Sequence, residues 1–72
     1  MNIYLVLVLL VMPGKDAPQQ ELQRQMISAS SDSVCQAHAN KLADGQRARN
    51  ADFIRTSGAR IAGRCVNKGV MP

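Results

Sequence analysis

Ile3-Tyr4-Leu5-Val6-Leu7-Val8-Leu9-Leu10-Val11-Met12 is an unbroken apolar run closed by Pro13-Gly14, and the chain after it is polar and cationic. As a helix those ten residues rise about 15 Å, half of the ~30 Å hydrocarbon core of a bilayer, so the run is too short for a simple membrane-crossing helix. It has the length of the apolar stretch of an export signal, although only Asn2 precedes it in place of a basic region and no small-x-small cleavage motif follows closely. A β-strand buried on both faces is the competing reading, favoured by the Ile, Val and Tyr content. A strand needs a neighbour, however, and no second strand stands out in the remaining sequence. The expected organisation is a hydrophobic export signal or short membrane anchor over residues 1–14 and a single small helical domain over 15–72.

Seventy-two residues, and fewer without the apolar run, hold a core worth only a few kcal/mol, so a covalent staple is expected. Cys35 and Cys65 are the only cysteines and allow one intramolecular disulfide. Closing a loop of that length removes roughly 3.5 kcal/mol of unfolded-state freedom, comparable to the net stability of the whole domain. Such a bond implies an exported protein, periplasmic, secreted or membrane-anchored. A metal site is the alternative for these thiols. Cys35, His38 and Cys65 supply three ligands without the paired spacing or fourth ligand of a structural zinc centre, and no metal or other cofactor is expected.

Punctuation divides the chain after Pro13. Asp16, Pro18 and Gln19 resemble a helix start, followed by helix formers, and place a weakly amphipathic helix over about 17–29. Ser33-Val34-Cys35-Gln36 reads as a capping box and opens a second helix over about 33–44, stopped at Asp44-Gly45. Asn50 as cap and Asp52 in the first turn open a third over about 51–66. Cys35, His38, Ala39 and Leu42 share one helical face, and Ile54, Gly58, Ile61 and Cys65 share another. Folded antiparallel with the cysteines level, the two form a disulfide-stapled helical hairpin in an all-α fold, with Leu42 opposite Gly58 and Ala39 opposite Ile61. The rival geometry, one continuous helix from Ser33 to Val66, separates the cysteines by about 45 Å and leaves them to pair only between chains.

Charge is concentrated in the second half. From Lys41 onward seven basic residues face two acidic ones, a net of +5, whereas before it two basic residues face three acidic ones, a net of −1. Arginines predominate over lysines and suit bidentate contact with carboxylates. Arg47, Arg49, Arg55, Arg60 and Arg64 are therefore the candidate partner-binding residues, and an acidic protein surface is the expected partner. Nucleic acid is disfavoured, because Phe53 is the only aromatic outside the run and no reading motif is present. Catalysis is disfavoured too: the one histidine, His38, lies on the expected seam, and the chain has little mass with which to enclose a substrate. The expected function is an exported, non-enzymatic interaction protein, an inhibitor or modulator. The alternative is a membrane-associated small subunit of an envelope assembly that contacts lipid through Ile3 to Met12, and a weaker one is a basic nucleic-acid-associated peptide.

Overall fold

The apolar run is a strand with two neighbours. In the structure, a computed structural model that describes residues 1–70, Asn2–Val11 forms β1, Gln19–Ala29 forms β2 and Arg60–Val70 forms β3. They make one three-stranded sheet in the order β2-β1-β3, antiparallel throughout. Between β2 and β3 the chain forms two helices, α1 over Asp32–Arg49 and α2 over Ala51–Ser57.

Strand periodicity divides β1 into two rows. Tyr4, Val6, Val8 and Leu10 are buried, while Ile3, Leu5, Leu7, Leu9 and Val11 on the other face are partly exposed. α1 covers the first row with Cys35, Ala39 and Ala43, buried at i, i+4 spacing along one stripe. Small side chains on that stripe let the helix approach the sheet closely, and Gly63 of β3 completes the fit. A Cβ placed there would stand 2.6 Å from the carbonyl oxygen of Ala39.

The core falls into two clusters. At the disulfide end Tyr4, Val6, Ala29, Cys35 and Ala39 pack together, and at the other end Val8, Leu10, Ala43, Ala59 and Ile61 do so, with Leu42 touching both. Cys35 and Cys65 form the expected disulfide, with their Cα atoms 6.3 Å apart. It joins α1 to β3 and points to an oxidising, exported environment.

The all-α hairpin is overturned. Residues 17–29, expected as a helix, contain β2: helix and strand propensities differ by only tenths of a kcal/mol per residue, and pairing along the whole of β1 outweighs them. The helix expected over 51–66 ends at Ser57, because Gly58 adopts a left-handed conformation (φ 78°) and its N–H closes the last turn on the Ile54 carbonyl at 3.0 Å. Beyond it Ile61, Gly63 and Cys65 alternate along β3 with their side facing α1. Helix 33–44 in turn extends past Gly45 to Arg49. Its cap is Ser31, whose hydroxyl accepts from the Val34 N–H at 3.3 Å, and not Ser33. Ala39 therefore faces Gly63, where a seam against Ile61 was expected. The run Ile3 to Met12, expected outside the folded unit, contributes its central strand.

Candidate partner-binding face

β1 presents its second row to the side of the sheet that no helix covers. Ile3, Leu5, Leu7, Leu9 and Val11 stand about 6.8 Å apart along the strand, two residues per step. Register places Leu5 between Met26 and Val66, Leu7 between Arg24 and Arg64, and Leu9 between Glu21 and Ala62. Val11 lies between Gln19 and Arg60. Met26 is 55% and Val66 41% exposed, high for large apolar side chains and well above their counterparts under α1. A row of aliphatic side chains thus runs down the middle of the face, widened by Met26 and Val66 at the Leu5 level and bordered by charge at the Leu7 level.

The two borders differ. On β2 Arg24 donates through Nε and Nη2 to Glu21 Oε1 at 3.0 and 2.8 Å, an arrangement that satisfies both charges locally. The irregularity opposite Val8 and Leu9 brings these two side chains to the same side of β2. On β3 Arg60 and Arg64 make no ion pair or side-chain hydrogen bond among the described residues. Among the described residues, the β3 border therefore carries two guanidinium groups with unused donors.

Of the five arginines singled out in the sequence, only these two come together. Arg47 on α1 pairs with Asp44 and donates through Nη2 to the Ile61 carbonyl at 2.9 Å, which ties the helix to the edge strand. Arg49 lies in the last turn of α1, and Arg55 on α2 pairs with Asp52 at 2.7 Å. Arg24 was missed, and the odd-numbered residues of β1 were singled out only as part of the contact run Ile3 to Met12, not as one face of a strand. The signal for them was the apolar run itself, once two partner strands are granted.

A second concavity opens at the disulfide end. Tyr4, Asp32, Ser33, Gln36, Cys65 and Asn67 line about 420 Å³. Two of its polar contacts brace α1 against the sheet. The Tyr4 hydroxyl donates to Asp32 Oδ1 and accepts from Asn2 Nδ2 at 3.5 Å, and Gln36 Nε2 donates to the Gly63 carbonyl at 3.1 Å. The hydrogen bond to the Asp32 carboxylate holds the Tyr4 phenol above its usual ionisation range, with smaller contributions from burial and from the charge of Asp32. Cys65 is consumed in the disulfide, and His38 is bonded to Gln25 Oε1 at 2.8 Å. No group of three metal-ligating side chains gathers among the described residues, and no helix is long and apolar enough to cross a membrane. No protein-family model, curated protein or solved structure matches the chain, so its functional reading rests on the geometry of these two faces.

Proposed function

We propose that this is a small exported, non-enzymatic interaction protein that docks on an acidic protein surface through the open face of its sheet. The observation that carries this reading is the juxtaposition of an aliphatic row on β1 with the guanidinium groups of Arg60 and Arg64, which have no ion-pair partner among the described residues. Apolar contact supplies the driving force, at about 25 cal/mol per Å² buried, and the arginines supply orientation and selectivity for carboxylates. The disulfide and the buried side of the sheet keep that face rigid, so little ordering entropy is lost on binding. Modulation of the partner follows from occupancy alone, and the periplasm or the extracellular space is the compartment in which the bond persists. The run Ile3 to Met12 stays attached in this reading, because both edge strands pair with it.

The test is site-specific photo-crosslinking in producing cells. A photoreactive residue in place of Leu7 should give a discrete adduct with a protein partner, one in place of Lys41 on the exposed side of α1 should not, and the Arg60→Ala/Arg64→Ala double variant should lose most of the Leu7 adduct. Absence of any adduct from the Leu7 position, or equal labelling from Lys41, overturns the proposal.

A further inference from the structure

We infer that the occupant of the open face is a single amphipathic α-helix of an acidic protein, laid along β1 with its carboxylates toward β3. This rests on the docking reading above and adds the shape and charge pattern of the partner.

Width argues first. Neighbouring strands lie about 4.8 Å apart, so the outer strands β2 and β3 are about 10 Å from each other, close to the 10–12 Å diameter of one helix with its side chains. Only the central strand is aliphatic along its whole open side. A helix centred on β1 buries that row and sets its flanks beside Arg24 and Glu21 on one border and Arg60 and Arg64 on the other. A second sheet packed there would lay its outer strands over those charged side chains. A second copy of this chain fares worse, because three arginines and one glutamate give the face a net charge of +2, and two copies oppose like charge with like.

Length and charge then fix the pattern. From Ile3 to Val11 the row runs about 27 Å, the rise of about 18 helical residues. Arg60 and Arg64, four residues apart on one side of β3, stand about 13–14 Å apart. Carboxylates seven or eleven residues apart on a helix share one flank at about 10 and 16 Å, and flexible arginine stems span either spacing. On the other border Glu21 already holds Arg24, so that flank calls for neutral polar residues. The added helix would complete a helix–sheet–helix sandwich, the usual way in which a sheet with an apolar second side is covered.

Two synthetic 18-residue helical peptides test this on the full-length oxidised protein. Both carry the same leucine stripe, and one has glutamates, the other lysines, along a single flank. Fluorescence anisotropy should show the glutamate peptide binding at least tenfold tighter, with affinity falling as salt rises, and the Arg60→Glu/Arg64→Glu variant should reverse the preference. A Leu7→Asp variant with an unaltered circular dichroism spectrum should bind neither peptide. Equal binding of the two peptides, binding of neither, or an unchanged preference in the double arginine variant overturns the inference. So does a concentration-dependent dimer in sedimentation equilibrium, which would mark a second copy as the occupant. Tighter binding to phosphatidylglycerol vesicles than to the glutamate peptide does the same for a lipid surface. Loss of peptide preference alongside a persistent protein adduct from Leu7 removes the helix and leaves the docking reading; loss of the adduct removes both.

Discussion

Consecutive residues of β1 meet opposite fates. Val6 and Val8 are fully buried against a helix whose contact stripe is Cys35, Ala39 and Ala43, whereas Leu5, Leu7 and Leu9 face outward, Leu5 between Met26 and Val66, Leu7 between Arg24 and Arg64 and Leu9 between Glu21 and Ala62. Against α1 the sheet offers a glycine, Gly63, and the helix offers alanines, so backbones meet closely and the gap is filled without large side chains. On the open side the aliphatic groups are large, and the border carries Arg24, Arg60 and Arg64 among smaller, apolar and acidic neighbours, with long arginine stems able to lie along the row. One side is packed within the fold. The other is left open in the monomer, which is what the proposed docking uses.

The sharpest way to break the contrast is to release the covered side. Cys65→Ser removes the link between α1 and β3 and should cost about 3.5 kcal/mol, the chain-entropy value for a loop of this size. In a domain of this length that corresponds to a melting temperature lower by roughly 15–25 °C, which calorimetry would read directly. A melting point within a few degrees of the parent would mean that packing of α1 on the sheet is sufficient without the bond.

Gly63→Ala probes the same contact without touching sulfur. Its new methyl group collides with main-chain atoms of Ala39, which cannot rotate away, so the loss should approach the upper end of the about 1–3 kcal/mol expected for overpacking. Gly45→Ala is the control with the opposite sign. It lies within α1 with nothing within 4 Å of the added carbon, and should stabilise by about 0.5–1 kcal/mol through helix propensity. Urea denaturation of the two variants should move the midpoint in opposite directions.

These glycines also show how much of the fold was legible. The disulfide followed from cysteine count, and the existence of the central helix from its serine-rich start and apolar stripe, though its cap is Ser31 in place of Ser33 and its C-terminal end lies five residues beyond Asp44. The strands were hidden for a physical reason. Ile61 and Cys65 are four apart, a spacing shared by a helix (i, i+4) and by every second residue of a strand, and only Gly63 between them, useless to a helix seam but required by the approach of Ala39, separates the two. Residues 19–29 carry a glutamine-rich strand whose polar surface suits an edge and resembles a solvated helix equally well. With β2 and β3 concealed, β1 had no visible partner and was read as a segment outside the helical domain. The candidate site suffered the same way: Arg60 and Arg64 were among five arginines named as candidate partner-binding residues, but their alignment with Leu7 and Val11 exists only in the sheet register.

Within β1 the contrast can be sharpened residue by residue. Val8→Thr keeps shape but buries a hydroxyl beneath α1, and should cost about 1–3 kcal/mol unless that group finds a partner. Leu7→Thr on the open side keeps its hydroxyl within reach of water and preserves a β-branched strand former, so its cost should stay under about 1 kcal/mol. Equal losses, read from denaturant midpoints, would mean that the open side is packed as tightly as the covered one.

The smallest expected effect concerns the end of the covered side, where Tyr4 meets Asp32. Because the phenol donates a hydrogen bond to the carboxylate, the folded state holds the phenolic proton to a higher pH than the unfolded chain, in which the phenol titrates near its ordinary value of 10.0. The interaction therefore contributes fully below pH 10 and is lost as pH rises through the elevated folded value. Asn2, the other polar side chain on the hydroxyl, carries no charge and opposes the shift only in part. Melting temperatures of the parent and Tyr4→Phe, measured from pH 8 to pH 11.5, should differ by a constant amount up to about pH 10 and converge above it. A difference that stays constant through the alkaline range would mean that Tyr4 holds α1 by packing alone, as Val6 and Val8 do.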